Sequence, residues 1–161
     1  MIDEYFMRIA IREAEIAYSR NQLPIGAVLV ISKKIVGTNG NAQIMNNDRF
    51  HHAENILIEE NSGQIKRASK EGKNIELYTS LEPCLMCLGA AVHNRLTRIV
   101  FSCPNPAAGS SSILPSTKWY AEKWPKIIQG PFCEESYNLF VKFMEKNPES
   151  WSNVLPLYKE M

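Results

Sequence analysis

No stretch of this sequence is long and apolar enough to suggest a membrane span. The opening, MIDEYFMRIA, carries acids where a secretory signal needs a basic start. Neither sign of charge dominates. Eighteen Lys and Arg stand against 17 Asp and Glu, for a formal net charge of +1, so total charge argues for neither nucleic acid nor a membrane surface. Four cysteines in 161 residues make no obvious disulfide framework, and a reducing cytoplasm is the expected compartment. Repeats and linkers are also missing. With 45% hydrophobic residues the chain can build a real core, and its length is that of one domain. We expect a single domain over 1–161, with 133–161 as a C-terminal helix and candidate active-site lid.

What is present centres on Leu77 to Phe101, LYTSLEPCLMCLGAAVHNRLTRIVF. It reads as a strand, a tight turn at Pro83 and a helix opening at Cys84. Cys84 and Cys87 are three residues apart and share a face of that helix. Upstream stands His52-Ala53-Glu54. One His and two Cys supply three ligands for a tetrahedral zinc, and a catalytic site leaves the fourth position to water. A helix N-terminus favours thiolates, and two thiolates offset the charge of the ion. Glu54 lies two residues beyond His52, so on a helix it points elsewhere and stays free as a proton shuttle. A structural zinc would want a fourth protein ligand. His51 faces away from the site, and Cys103 and Cys133 read as buried small hydrophobes.

The periodicity predicts an amphipathic helix over 3–20, with Ile2, Phe6, Ile9, Ala10, Ala14 and Ala17 on its core face. Gly26 to Ser32 is a nearly unbroken apolar strand, buried on both faces. Lys33 and Lys34 turn into a second strand, Ile35 to Thr38, and a polar loop, 39–49, leads to His52. A helix over 52–60 follows. The basic segment 61–74 reads as solvated helix or loop. Strands over 75–81 and 97–102 flank the helix from Cys84. A loop over 104–115, an aromatic-rich stretch with a short strand over 126–129, a helix over 134–146 and an apolar tail, Trp151 to Tyr158, complete the chain. Alternating helices and apolar strands mean a layered α/β fold.

The order H-x-E then P-C-x-x-C is the zinc deaminase signature. With Leu23-Pro24-Ile25-Gly26-Ala27-Val28, it makes the chain resemble the cytidine deaminase superfamily from about residue 3 to 110. The likeness is to the branch of tRNA-specific adenosine deaminases and nucleobase (guanine, cytosine) deaminases. The resemblance implies a three-layer α/β/α sandwich around a five-stranded mixed sheet, and zinc held by His52, Cys84 and Cys87 with Glu54 as shuttle. It implies a base contact from Asn41, eleven residues before His52, and another from the Ala53 backbone amide. Leu23 and Asp48 join these as candidate substrate contacts. Homodimers are usual in the family.

The chain departs from the tRNA enzymes in two places. Where they carry Asp-Pro-Thr-Ala before His-Ala-Glu, this chain has Asp48-Arg49-Phe50-His51. From Cys133 onward it has three lysines against five glutamates, net −2, where those enzymes tend to be basic. Phosphate binding relies on Lys and Arg. The tail instead resembles fungal cytosine deaminase, with Phe143, Pro148 and Trp151 at the spacing of a lid over a small base, and Val154 where that family places the acid that reads cytosine. Packing on the core is the other reading of Trp151. Three functions remain open. The first is hydrolytic deamination of a small nucleobase or nucleoside. The second is a tRNA adenosine deaminase, with Arg95, Arg98, Lys118, Lys123 and Lys126 on phosphates in a stripe beside the zinc. The third is a zinc-stabilised, non-catalytic subunit, against which an intact Glu54 argues.

Overall fold

The computed structural model describes residues 2–161. A first helix, α1 (Ile2–Ser19), leads into a hairpin of β1 (Gly26–Ile31) and β2 (Lys34–Gly40). Helices α2 (Gln43–Asn46), α3 (Ala53–Glu60) and α4 (Ser62–Lys70) follow, then β3 (Ile75–Leu81), α5 (Leu85–His93), β4 (Arg98–Cys103), α6 (Lys118–Ala121) and β5 (Lys126–Gln129). Helices α7 (Cys133–Lys146), α8 (Pro148–Trp151) and α9 (Leu155–Lys159) close the chain.

The strands form one five-stranded sheet in the order β2-β1-β3-β4-β5. β1 is antiparallel to β2 and β3, while β3, β4 and β5 run parallel. The mixed sheet is the one the sequence leads us to expect. The β1–β2 hairpin turns tightly because Ser32 and Lys33 both take the left-handed conformation, φ 48° and 67°, which matches the twist of the flanking strands.

Alternation along the strands divides the core between two faces. Val28, Val30, Tyr78 and Val100 pack with Phe6, Met7, Ala10 and Ile11 of α1. Ala27, Leu29, Leu77 and Ile99 pack with Leu57, Ile58, Ile65, Leu88 and Val92 of the opposite helices. Each such aliphatic side chain, fully buried, contributes about 1.5 to 3 kcal/mol, so the central strands, lined on both sides, anchor the fold. α1 approaches β1 so closely that a Cβ at Gly26 would lie 2.2 Å from the Ala10 carbonyl oxygen.

Some expectations needed adjustment. The core face of α1 gains Met7 and Ile11, and Ile9 is only half-buried. The side chain of Ile2 lies outside the described residues. β2 runs on to Gly40, and the polar loop after it contains α2. Segment 61–74 contains α4, which buries Ile65 and Ala68, so it is part of the core layer as well as solvated. His52 and Cys84 precede their helices as N-cap residues. The apolar tail folds into α8 and α9, with Tyr158 buried. No helix among the described residues is long and apolar enough to cross a membrane.

Candidate metal centre and substrate cavity

The site lies where β3 and β4 end and β1 begins. β3 delivers Leu81, and Glu82-Pro83-Cys84 then turns into α5. Cys84 occupies the N-cap in an extended conformation (φ −73°, ψ 171°), which lets Cys87 rise beside it from the first turn. Across from it His52 occupies the N-cap of α3, also extended (φ −71°, ψ 148°). Neither residue caps its own helix with a side-chain hydrogen bond. Two helix N-termini, each with its partial positive charge, therefore converge on the same three side chains. The Cys84 segment is held from outside: Ser110 donates from its hydroxyl to the Pro83 carbonyl at 2.7 Å, and Cys84 bridges Gly109.

The three donor atoms sit at the separations a metal requires. Cys84 Sγ and Cys87 Sγ are 3.6 Å apart, and His52 Nδ1 lies 3.8 Å from Cys84 Sγ and 3.4 Å from Cys87 Sγ. Tetrahedral zinc with bonds of about 2.3 Å to sulfur and about 2.0 Å to nitrogen puts two sulfurs about 3.8 Å apart and sulfur and nitrogen about 3.5 Å apart. The donor set of one imidazole and two thiols fits the same ion. Among the described residues these three form the one such cluster of His, Cys, Asp or Glu. The hydrogen bond from Cys87 holds the Cys84 thiol down at about 4, and the same bond, with burial, pushes Cys87 up. Ligation needs both as thiolates, so metal uptake releases a proton.

Glu54 is 3% exposed. Burial raises its carboxyl above the ordinary range. The Thr79 hydroxyl lies 3.2 Å from its Oε1, and Oε2 is buried with no hydrogen-bond partner. A buried polar atom without a partner costs free energy, so Oε2 is suited to a donor brought by a bound group.

A cavity of about 290 Å³ opens beside these groups. Its walls include Leu23, Gln43, His52, Glu54, Glu82 and Cys84. Asn105, Ala107 and Ala108 come from the loop after β4, and Phe140, Trp151, Val154 and Tyr158 from the C-terminal helices. Of the substrate contacts expected from the sequence, Leu23 and Trp151 line this cavity. Ala53 is buried at the first residue of α3, where a backbone N–H has no intrahelical partner. Asn41 and Asp48 do not line it. Asp48 accepts from the Phe50 backbone N–H and pairs with His51 at 3.0 Å, so it shapes its own loop. Asn41 is engaged with Gln43, which takes the wall position.

Sequence reasoning missed Gln43, Glu82, Asn105 and Tyr158. Glu82 accepts from the backbone N–H groups of Asn105 (2.9 Å) and Ser111 (2.8 Å), and Tyr158 donates to Asn105 Oδ1 at 3.1 Å. Only Glu82 had a local signal, since it sits between the strand and the first thiol. The cations set aside for phosphate lie elsewhere. Arg98 and Lys126 are in register at the starts of β4 and β5, the strand ends away from the site. Arg98 is tied to Asp3 and Glu76. Arg95 and Lys123 flank Trp119, and Lys118 and Lys123 approach Glu122. Among the described residues, no Lys or Arg lines the cavity.

Comparison with known proteins agrees with this geometry. The family described as the cytidine and deoxycytidylate deaminase zinc-binding region matches residues 1–103. A tRNA-specific adenosine deaminase of Rickettsia bellii is 34% identical over 146 residues, covering 87% of this chain and 98% of its own. Another, from Buchnera aphidicola of Schizaphis graminum, is 42% identical over 99 residues, 62% of this chain and 64% of its own length. A solved structure from a study of A-to-I editing by tRNA:A34 deaminases superimposes with a TM-score of 0.66 and 29% identity, over 84% of this chain and 99% of that one. A guanine deaminase of Nitrosomonas europaea shares the fold at TM-score 0.58 and 15% identity, over 88% of this chain and 81% of that one. A His and two cysteines spaced for zinc, on a five-stranded mixed sheet and within a matching family region, identify the chain as a zinc-dependent deaminase of the cytidine and deoxycytidylate deaminase family.

Proposed function

We propose that the chain deaminates a single nucleobase or nucleoside by hydrolysis, replacing an exocyclic amine with an oxo group and releasing ammonia. His52, Cys84 and Cys87 hold the zinc, which when bound supplies a Lewis-acid position that activates water. Glu54 takes the proton of the attacking water on its open Oε2, delivers it to the ring nitrogen, and then serves the leaving amine. A carboxyl raised by burial suits this task, because a shuttle works best with a pKa near the operating pH.

The observation that carries the choice of a small substrate is the C-terminal wall. Trp151, Val154 and Tyr158 enclose a cavity of about 290 Å³ with no cation on its lining. Trp151 is set by edge-on contacts with Phe140 and Phe143, 5.7 and 6.1 Å between centroids. Residues 133–161 thus act as the lid of a catalytic domain spanning the chain. A second reading, a tRNA-specific adenosine deaminase, is favoured by the names of the relatives and by the 34% identity to one of them over nearly its whole length. Both readings place the enzyme in a reducing compartment, where free thiolates persist. Both also take it as a homodimer, for which the exposed apolar side chains Leu85, Met86 and Leu114 offer a surface.

The test is ammonia release by zinc-loaded protein from adenine, guanine, cytosine, their nucleosides and an RNA anticodon stem-loop, with Glu54→Ala as control. Turnover of a free base or nucleoside that the control lacks is the expected result. Turnover confined to the stem-loop overturns the small-substrate reading in favour of the second.

A further inference from the structure

We infer that Glu82 is a positioning residue, whose carboxyl group clasps the turn that carries Cys84 to the loop that walls the substrate cavity. This role rests on the zinc deaminase assignment above. Through it one rigid body sets both a metal ligand and part of the substrate wall.

Glu82 follows the last residue of β3, where Leu81 pairs with Cys103. Its own N–H donates to the Cys103 carbonyl at 2.7 Å, which fixes where the side chain starts. From there its two oxygens reach the two feet of the 105–111 loop. Oε2 accepts from the Asn105 N–H at 2.9 Å, and Oε1 accepts from the Ser111 N–H at 2.8 Å. Pro104 has no N–H to offer, so Asn105 is the first backbone donor after β4. The loop closes over the carboxyl group at Gly109, where a Cβ would lie 2.3 Å from Oε2. The next two residues of the turn complete the clasp. Ser110 donates to the Pro83 carbonyl from its N–H (3.2 Å) and its hydroxyl (2.7 Å), and Cys84 bridges Gly109. Between the feet the crown of the loop, Pro106 to Ala108, is exposed. Asn105 Oδ1 folds it by accepting from the Ala107 and Ala108 N–H groups. Ala107 and Ala108 line the cavity, so the feet decide where that part of the wall stands.

The choice of an acid here follows from those contacts. Glu82 is 8% exposed, and no Lys, Arg or His pairs with it among the described residues. Burying an acid without a cation is costly, and packing alone would be served as well by an apolar side chain of similar volume. An apolar chain cannot accept from two backbone N–H groups. Gln cannot replace both bonds either, because its Nε2 would set a donor against a donor. The two acids of the cavity wall are therefore divided in their tasks. Glu54 keeps Oε2 without a partner, whereas both oxygens of Glu82 are committed to the loop. Such preorganisation strengthens substrate binding by removing the cost of ordering the wall.

The experiment uses zinc-loaded protein carrying Glu82→Gln. Gly109→Ala is the second variant, which presses on the same contact from the loop side and keeps Glu82. Amide hydrogen exchange of Asn105 and Ser111 is followed by NMR, with zinc per chain, Tm, and KM and kcat for the panel member that the parent protein turns over. In Glu82→Gln the two amides are expected to exchange about tenfold faster or more, and KM to rise by about the same factor with kcat changed less. Amides of β1 and β3 keep their parent rates, and one zinc per chain is retained. Gly109→Ala added to Glu82→Gln raises KM by less than the product of the single effects, because both act on one contact. If Glu82→Gln does not fold, Gly109→Ala alone gives the exchange and KM readings. A merely structural role would lower Tm and speed exchange across the sheet while KM stayed at the parent value, and that result overturns the inference. Unchanged exchange at Asn105 and Ser111 overturns it as well. The amide readings need no substrate, so a parent protein that turns over no panel member counts against the proposed reaction, and the amides still decide the clasp.

Discussion

The Thr79 hydroxyl, on β3, has one proton and two acceptors at the same distance, Glu54 Oε1 and the Leu81 carbonyl, each at 3.2 Å. With Glu54 ionised it can donate to the carboxylate. With Glu54 protonated it can accept from the acid and donate to Leu81. A single hydroxyl thus serves both states of a carboxyl that, in the proposed reaction, changes state in each turnover.

Replacing Thr79 with Val keeps the shape and removes that service. The ionised form of Glu54 loses a partner, so its pKa rises further, and the acidic limb of the kcat/KM profile moves to higher pH. At neutral pH the loss of one hydrogen bond, about 1 kcal/mol, lowers kcat/KM by roughly fivefold. A pH series on the variant checks this, and an unmoved limb would count against the pairing.

Metal content gives a second check. One zinc per chain is expected by elemental analysis, and none in Cys87→Ala. Chelation should abolish ammonia release and lower Tm while leaving the far-UV circular dichroism of a folded chain. The apolar clusters on the two sheet faces are complete without the ion.

Gly109 is a site where even a methyl group fails. A Cβ there would lie 2.3 Å from Glu82 Oε2 and 2.6 Å from the Asn105 carbonyl oxygen. Gly109→Ala must displace the loop that carries Asn105, Ala107 and Ala108. We expect a loss of about 1 to 3 kcal/mol in stability and a larger effect on KM than Ala108→Gly produces, read by urea unfolding and kinetics.

Trp151→Ala tests the C-terminal wall. With the indole gone from Phe140 and Phe143, KM for a free base should rise about tenfold or more, with kcat changed less, as for loss of uniform binding. A stem-loop substrate, if used, would be indifferent.

Another partnership lies far from the site. Arg98 on β4 donates to Asp3 at 2.7 and 2.9 Å, and the Tyr78 hydroxyl donates to Asp3 at 2.8 Å. The Arg98 hydrogen bond, against an opposing effect of burial, holds the Asp3 carboxyl below 3.8. A depressed folded pKa contributes stability that is present above the unfolded value and lost as pH falls through the folded one. Asp3→Asn should therefore cost about 1 kcal/mol at pH 7. The gap to the parent protein should close below about pH 4, as followed by denaturant unfolding across pH.

The metal residues were legible because their chemistry is tied to short spacings. His52 with Glu54, and Cys84 with Cys87, announce themselves within four residues, each at the start of a helix. The nearly unbroken apolar run of β1 likewise showed a strand covered on both faces. The substrate wall was harder to read. Gln43 reaches the cavity wall from a loop folded by contacts with Asn41, Gln22 and His51, and Tyr158 reaches Asn105 across 53 residues of chain. Those contacts come from the tertiary fold and carry no period in the sequence. Asp48 shows the reverse, a family position kept in the chain but turned to a local role by Arg49, Phe50 and His51 around it.

The two uncapped helix starts set a limit on how far this protein can be stabilised. A Ser or Asp at an N-cap commonly adds about 0.5 to 2 kcal/mol over residues that cannot cap, and His52 and Cys84 form no such bond. Substitution at either position by a good capping residue would improve the helix and remove the metal ligand in one step. Selection for thermal tolerance alone would drive both positions toward inactive chains, so hardy variants must find their gains elsewhere in the fold.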